Sequence, residues 1–197
     1  ILTVGALDVA LRRFLPERLP AFATAYPGVE LTLLMRPSYT LERMLADGDL
    51  DLALTDGPIQ HPLLNSRFAF AESLSLVVPS HITAIKEINW PTTTVFLFNT
   101  DCFYRSCFER WLKKRGIETP VIQTIESYDA LHACVAAGLG VSCFPDSMTS
   151  PQDCDDLNGV RFLKPDDLAS APVYFVWRRD SVCAPAIHFV EHFAQHE

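Results

Sequence analysis

The sequence predicts an α/β protein made of two halves, each a sheet flanked by helices. Apolar, strand-like runs alternate with segments of helical periodicity twice along the chain. The segment Ser127–Pro145 shows this alternation most clearly, with a helical apolar stripe, a glycine turn and a buried strand. Gly138 and Gly140 supply the positive φ and the close backbone packing that a helix-to-strand reversal needs. We therefore expect parallel strands joined by right-handed helical crossovers.

The first half is predicted to contain three strands and two helices. The strands are predicted at Leu2–Ala6, Val29–Leu34 and Leu50–Leu54. A helix is predicted over Leu11–Tyr26, with a kink or a late start because Pro16 and Pro20 interrupt its apolar stripe. A second helix over Tyr39–Asp47 is predicted to end at Gly48. The β-α-β-α-β order predicts a parallel sheet.

The second half begins after Arg67–Pro79, an extended segment that is predicted to leave the first sheet. Its strands are predicted at Val95–Phe98, Val121–Ile125 and Val141–Phe144, with a helix over Cys102–Arg115 and another after Ser127. The stretch Asp153–Asp167 is predicted to be loop. A last strand over Pro172–Trp177 and a last helix over Pro185–Gln195 could complete either half.

Composition narrows the function classes. The 197 residues are 49% hydrophobic and 20% charged, with a net charge of −8. A DNA-binding surface needs clustered Lys and Arg, and the nearest cluster, at Lys113–Arg115, is predicted to be a solvated helix end. We expect neither nucleic-acid binding by this segment itself nor a membrane span, because the chain lacks a run of about 18 apolar residues. A signal peptide is also not expected.

Six cysteines are predicted to be small buried hydrophobes in a reducing cytoplasm. They are Cys102, Cys107, Cys134, Cys143, Cys154 and Cys183. No CxxC pair and no zinc-type spacing occurs. A redox-sensing role of Cys102 stays open, because a thiolate is favoured at a helix N-terminus. His188, His192 and His196 recur every four residues, which suits either a metal or an ordinary polar helix face.

Enzymatic motifs are missing from the sequence. It contains no G-x-S-x-G elbow, Walker A loop, H-E-x-x-H pair or G-x-G-x-x-G loop. Gly138 and Gly140 lie between a helix and a strand, which is the wrong order for a dinucleotide-binding loop. We predict no enzyme, no cofactor and no metal.

Seven ordered segments resemble the C-terminal effector-binding domain of LysR-type transcriptional regulators. They are LTVGALD, FLPERLPAFATAYPGVELTL, LADGDLDLALTDGP, SLSLVVPS, FERWLKKRGIETP, SYDALHACVAAGLGVSCFP and PVYFVWRRD. The resemblance spans essentially the whole chain. It implies two Rossmann-like subdomains joined by two crossover strands, as in type 2 periplasmic binding proteins. It places the first subdomain at 1–78 plus 171–197 and the second at 79–170.

The resemblance also implies a function. It indicates a domain that senses a small metabolite in a cleft between the halves and transmits this to oligomer arrangement and DNA binding. DNA would be read by an N-terminal winged helix-turn-helix that this chain lacks. The implied assembly is a homodimer or homotetramer, with the helices at Leu11–Tyr26 and Cys102–Arg115 as candidate contacts.

Candidate effector-binding residues follow from the rule that open α/β sheets bind ligands beyond the carboxyl ends of their strands. The first half contributes Leu7, Asp8, Val9, Pro37, Ser38, Thr55 and Asp56. The second half contributes Asn99, Thr100, Asp101, Cys102, Tyr104, Arg105, Ser127 and Phe144. The resemblance places the effector cleft among these same loops.

The chemistry of these residues leaves alternatives open. Asn99, Thr100 and Ser127 could donate to a carboxylate or cap helices. The carboxylates of three residues, Asp8, Asp56 and Asp101, would repel an anionic effector unless they point away from the cleft or the effector is cationic or zwitterionic. Asp8 could also cap a helix. Arg105 could clamp an anion or lie on a solvated helix face.

Two rival functions share the predicted fold class. One is a solute-binding protein of a transporter, which would need export, although unpaired cysteines suit the periplasm poorly. The other is an enzyme such as an α/β transferase or dehydratase. A cysteine-based redox sensor of the same regulator family is a further alternative.

Overall fold

The computed structural model describes residues 1–118, 121–149, 159–181 and 183–194. They divide into two compact units, one of residues 1–71 with 172–197 and one of residues 72–171. Each unit contains one five-stranded mixed sheet. The first boundary lies earlier in the chain than the position after residue 78 that the sequence predicts, because the strand at Leu74–Pro79 is hydrogen-bonded into the second sheet.

The first sheet has the strand order β2-β1-β3-β10-β4. Its strands are β1 (Leu2–Ala6), β2 (Leu31–Met35), β3 (Leu52–Asp56), β4 (Leu64–Glu72) and β10 (Ala171–Arg178). Both β2 and β3 pair with β1 in parallel, as predicted, whereas β10 pairs with β3 antiparallel. The last strand therefore completes the first half.

Helices cover both faces of this sheet. They are α1 (Leu15–Ala25), α2 (Ser38–Asp47) and α5 (Ala184–Ala194). The larger core unites the inward faces of α1 and α5 with β1 and β3, and Phe189 is fully buried in it. Leu41 and Leu45 of α2 fill a smaller core on the opposite face. At α2's end, Gly48 adopts a φ of 85°, so the predicted glycine stop is confirmed.

The start of α1 shows how the chain accommodates its prolines. Residues 8 and 9 are already helical, a π-helical turn spans Ala10–Phe14, and α-helix continues over Leu15–Ala25. Pro16 and Pro20 therefore lie within one continuous helical run, in which the π-helical turn is the irregularity. The predicted late start of this helix is wrong, because the helical run begins before Leu11 and before both prolines.

The second sheet has the strand order β7-β6-β8-β5-β9. Its strands are β5 (Leu74–Pro79), β6 (Thr94–Leu97), β7 (Val121–Thr124), β8 (Val141–Pro145) and β9 (Val160–Leu163). Strand β6 is parallel to β7 and β8, while β5 is antiparallel to β8 and β9. The helices of this unit are α3 (Phe103–Lys114) and α4 (Tyr128–Ala136).

Two expectations for this unit need correction. The predicted extended segment Arg67–Pro79 is two strands that belong to different sheets, β4 and β5. The predicted loop over Asp153–Asp167 contains β9, which pairs with β5 through backbone hydrogen bonds. This short strand includes Arg161 and lies in an otherwise polar stretch, so its apolar residues give no clear strand pattern. Residues 153–158 of that stretch lie outside the described residues.

The segment that predicts the fold most clearly packs as expected. Leu131 and Val135 of α4 are fully buried against β5, β6 and β8, with Tyr128 and Cys134 beside them. No described helix is long and apolar enough to span a membrane.

Gly140 is predicted to be indispensable for packing between α4 and β8. A Cβ atom there would overlap the carbonyl oxygen of Thr94, which is rigid backbone, and the ring of Phe96. We expect Gly140→Ala to lower the free energy of unfolding by about 1–3 kcal/mol. Gly28→Ala is the control, because nothing lies within 4 Å of its Cβ position. Equal urea midpoints for the two variants would contradict this account.

Candidate functional site

The carboxyl ends of β1, β2 and β3 lie at one edge of the first sheet. Two backbone hydrogen bonds tie the loops together there. Leu7 donates to the carbonyl of Leu54 at 3.1 Å, and Arg36 donates to that of Ala6 at 3.2 Å. The predicted positions that follow these three strands are thus brought together by parallel pairing.

Asp56, the last residue of β3, joins the start of α2 through Ser38. The Ser38 hydroxyl donates to Oδ1 of Asp56 at 2.6 Å, and the Asp56 backbone N–H donates to the same hydroxyl oxygen at 3.4 Å. Pro37 is the N-cap residue of α2 and is extended, with φ −63° and ψ 153°. Ser38 is therefore committed to a carboxylate.

The Asp56 carboxyl is only 9% exposed. Burial raises its pKa from 3.8 to about 6, against the opposing hydrogen bonds from Ser38 and from the Asp56 backbone. The nearby Glu42 carboxylate raises it further. Glu42 itself has a pKa raised by burial, which the charge of His61 partly offsets.

Thr55 precedes Asp56 and is fully buried. Within the described part of the chain, its hydroxyl oxygen has no hydrogen-bond partner. An unsatisfied buried hydroxyl lowers the free energy of unfolding, so Thr55 destabilises the folded chain at this strand end.

The remaining predicted residues of the first edge behave differently. Asp8 does not cap the helix that follows it: the Leu7 carbonyl accepts the first helical hydrogen bonds, from Ala10 and Leu11. The Asp8 carboxylate instead lies 3.5 Å from the Arg12 guanidinium on the outside of the turn. The side chain of Val9 is buried, so it belongs to the core.

The edge of the second sheet is built from the loops after β6 and β7. The Asn99 side-chain N–H donates to a carboxylate oxygen of Glu126, and its side-chain oxygen accepts from the Asp101 backbone at 3.2 Å. The Ser127 hydroxyl accepts from the Ala130 N–H at 3.3 Å and so caps α4. Both residues are occupied by local structure. Thr100 is exposed.

Arg105 is neither an open anion clamp nor part of a solvated face. Its side chain is 11% exposed and pairs with Glu109 at 2.8 Å. The same guanidinium donates to the Phe98 carbonyl at 2.8 Å and to the Thr124 hydroxyl at 3.2 Å. Arg105 thus fastens α3 to the ends of β6 and β7.

Three other predicted residues differ in exposure. Tyr104 and Phe144 are buried, and Phe144 packs edge-on against Tyr128 with ring centroids 5.3 Å apart. Cys102 is the half-buried N-cap residue of α3. The two aromatic side chains therefore belong to the buried core of the second unit.

Sequence reasoning missed a polar network beside β8. The Ser75 hydroxyl donates to Asp146 at 2.6 Å, and Lys164 pairs with the other oxygen of that carboxylate at 2.7 Å. The buried carboxylate of Glu72 accepts from the Ser147 N–H at 2.8 Å. Asp146 directly follows a strand end and could have been found by position, whereas Glu72 becomes a candidate only through tertiary structure.

Several of the cysteines and histidines that the structure describes take part in packing. Cys107 and Cys143 are buried, and burial raises the pKa of the Cys143 thiol well above its usual range. Cys154 and His196 lie outside the described residues. His188 stacks on Tyr26 with centroids 5.1 Å apart. The described residues hold no group of three or more His, Cys, Asp or Glu side chains arranged to bind a metal.

Comparison with protein families matches residues 1–197 to the LysR substrate binding domain. The HTH-type transcriptional regulator CzcR of Bacillus anthracis is 35% identical over 147 residues, which cover 75% of this chain and 50% of that protein. GltR of Bacillus subtilis (strain 168), also an HTH-type transcriptional regulator, is 27% identical over 99% of this chain and 66% of its own length. The chain spans about half the length of CzcR.

Solved structures share the fold at low sequence identity. The CcmR regulatory domain of Synechocystis PCC6803 in complex with 2-PG has a TM-score of 0.83 and 15% identity, covering 98% of this chain and 95% of that one. The BenM effector binding domain with its effector benzoate has a TM-score of 0.80 and 17% identity, covering 98% and 90%.

Asp56 is predicted to make stability depend on pH. Because its pKa is raised in the folded state, the folded chain binds more protons here than the unfolded chain between about pH 4 and about pH 6. Its contribution to the free energy of unfolding is therefore complete below about pH 4 and is lost as the pH rises through about 6. A change of the pKa from 3.8 to about 6 corresponds to about 3 kcal/mol.

Asp56→Asn keeps an acceptor for Ser38 and removes the titration. We expect the free energy of unfolding of the wild type, relative to that of this variant, to fall as the pH rises through this window. Urea unfolding of both proteins at matched pH values measures the difference. A difference that does not vary with pH would contradict a raised pKa of Asp56.

Proposed function

Because the chain belongs to the LysR substrate binding domain family, we propose that it is the effector-binding part of a LysR-type transcriptional regulator. Family membership across residues 1–197 carries this proposal. The matched curated relatives are transcriptional regulators that extend beyond the matched region.

Each sheet edge, taken by itself, offers a candidate position for a ligand. On the first unit, parallel pairing gathers Ser38, Thr55 and Asp56 at one edge, beside the N-terminus of α2. On the second unit, the loop from Asn99 to Asp101 leads into α3. We assign a small-molecule effector to this kind of position, as α/β sheets generally bind ligands there.

Regulation follows from differential affinity. An effector that binds one arrangement of the regulator more tightly than another shifts the population toward it. In the whole protein, we propose that this shift alters the oligomer and the spacing of DNA-reading domains supplied outside this chain.

The rival functions gain no specific support. Burial disfavours the thiolate of Cys143, which argues against a redox role for that residue. Cys102, the cysteine for which the sequence leaves a redox role open, is the half-buried N-cap residue of α3, and its redox role stays a hypothesis. Family membership favours a regulator over a transporter protein or an enzyme, since the curated relatives matched are regulators.

Edge strands support the proposed homodimer. Strands β2 and β7 each lie at the end of a sheet, where Met35 is 54% exposed and Val121 is 44% exposed. Exposed apolar edge strands favour association. We expect sedimentation to show a concentration-dependent dimer that Met35→Lys weakens. A protein that stays monomeric at high concentration would contradict a dimer of this domain.

A thermal-shift screen of metabolites tests effector binding. A ligand at about 100 times its Kd should add about 2.7 kcal/mol of stability. Thr100→Ala removes an exposed hydroxyl at the second edge, and loss of one neutral hydrogen bond should weaken binding about three- to tenfold. Thr24→Ala removes an equally exposed threonine hydroxyl from α1 and should leave the affinity unchanged.

The result that would overturn the proposed function is a broad screen without any stabilising small molecule. A ligand whose affinity is indifferent to Thr100→Ala would remove this residue from the site.

A further inference from the structure

We infer that the effector of this domain carries an ammonium group, which binds to the carboxylate of Asp56. This inference rests on the proposed function, since it names the chemical class of ligand for the same edge of β3. It is argued from the polar groups at this edge that local ion pairs and hydrogen bonds leave available to a ligand.

Asp56 is a buried carboxyl without a cationic partner. No ion pair with Asp56 occurs in the described ranges, and the hydrogen bonds to its carboxyl come from the neutral Ser38 hydroxyl and the Asp56 backbone. Removing a carboxylate from water is costly unless a cation compensates it. A ligand ammonium would provide that cation, through charge-assisted hydrogen bonds.

The surroundings of Asp56 add negative rather than positive charge. Glu42, on α2, raises the pKa of Asp56 by repulsion, and His61 acts on Glu42. Arg36 is the cation nearest in sequence to this edge, but it is exposed and its guanidinium donates to the Met35 carbonyl at 2.7 Å. An exposed charge is screened by water and salt. The buried Asp56 carboxylate therefore has a stronger electrostatic effect than Arg36 on a ligand at the end of β3.

The end of β3 also contains a buried hydroxyl group that lacks a hydrogen-bond partner among the described residues. The Thr55 hydroxyl, adjacent in the chain, is fully buried and has no partner among the described residues. Natural proteins keep few such groups, and those retained often belong to functional sites. This observation is independent of charge and marks the same strand end.

Taken by itself, the second unit offers little to an anionic ligand. Arg105 is held by Glu109 and by the Phe98 carbonyl, and Lys164 is paired with Asp146. The Asn99 amide donates to Glu126. Apart from the exposed Thr100 hydroxyl, these contacts would have to be displaced before a carboxylate ligand gained one of these side chains as a donor.

An ammonium that binds ionised Asp56 competes with a proton for the same oxygen atoms. Affinity should therefore rise with pH, by up to about tenfold per pH unit below about pH 6, and level off above it. The ligand amine stays charged across this range, because alkylamines titrate near the ordinary lysine pKa of about 10.4.

The experiment uses three matched series of straight-chain probes: α,ω-diamines, ω-amino acids and α,ω-dicarboxylates of equal chain lengths. Thermal shifts identify the binding series, and calorimetric titration from about pH 5 to about pH 8 gives the pH profile. Any ligand from the metabolite screen is tested in the same way. The variants are Asp56→Asn and, as a control, Asp47→Asn, which removes an equal charge from an exposed residue near the other end of α2.

The expected result is stabilisation by ammonium-bearing probes, with affinity that rises toward neutral pH. Asp56→Asn should reduce this affinity at least tenfold at neutral pH and abolish its pH dependence, whereas Asp47→Asn should preserve both. Circular dichroism of the Asp56→Asn protein checks that it is folded, and the wild-type pH profile tests the inference without any variant.

Binding of dicarboxylates, or of a screen ligand without an amine, would overturn the ammonium inference and leave the proposed function standing. An amine whose affinity is indifferent to Asp56→Asn would also overturn it. Failure of every compound in both the probe series and the metabolite screen would instead count against the proposed function.

Discussion

Parallel strand pairing is the constraint on which the rest of each unit depends. A parallel neighbour can be reached only by returning the chain across the sheet, and here helices make that return. The parallel strands β1, β2 and β3 therefore all end at the same edge, and the turns that follow them lie together there. The antiparallel strands β10 and β5 extend the sheets but add no crossover of this kind. The position of the site that we propose is therefore a consequence of the connection rule.

Stability and function make different demands at the end of β3. The apolar cores on both faces of the first sheet are closed by α1, α2 and α5, and they do not require a carboxyl at position 56. Burial disfavours ionisation of Asp56, and Thr55 buries a hydroxyl without a partner in the described part of the chain. A ligand at the edge that we propose would explain why residues that lower stability lie there.

The sequence predicts element types well because hydrophobic period and glycine position act locally. The stripe of α4, the stop at Gly48 and the close packing at Gly140 all depend on neighbours within a few residues or on steric rules that any sheet imposes. Strand β9 escaped detection because its four residues include Arg161 and lie in an otherwise polar stretch. The site was predictable as a set of loops but not as a set of partners. The Ser38–Asp56 bond and the enclosure of Arg105 by Glu109 and Phe98 each depend on which rotamers the folded chain permits.

Those partners determine which groups at each sheet edge remain available to the ligand that we propose. Read as a list of residue types, the predicted site offers an arginine, an amide and several hydroxyls, which together suit a carboxylate. In the folded chain the arginine, the amide and two of the hydroxyls already have acceptors or donors of their own. A donor that is already hydrogen-bonded within the protein can bind a ligand only if the new hydrogen bond is as strong as the one that it replaces. Selectivity therefore follows from the groups left over. At the end of β3 these are a buried carboxyl without a cation and a buried hydroxyl without a partner among the described residues.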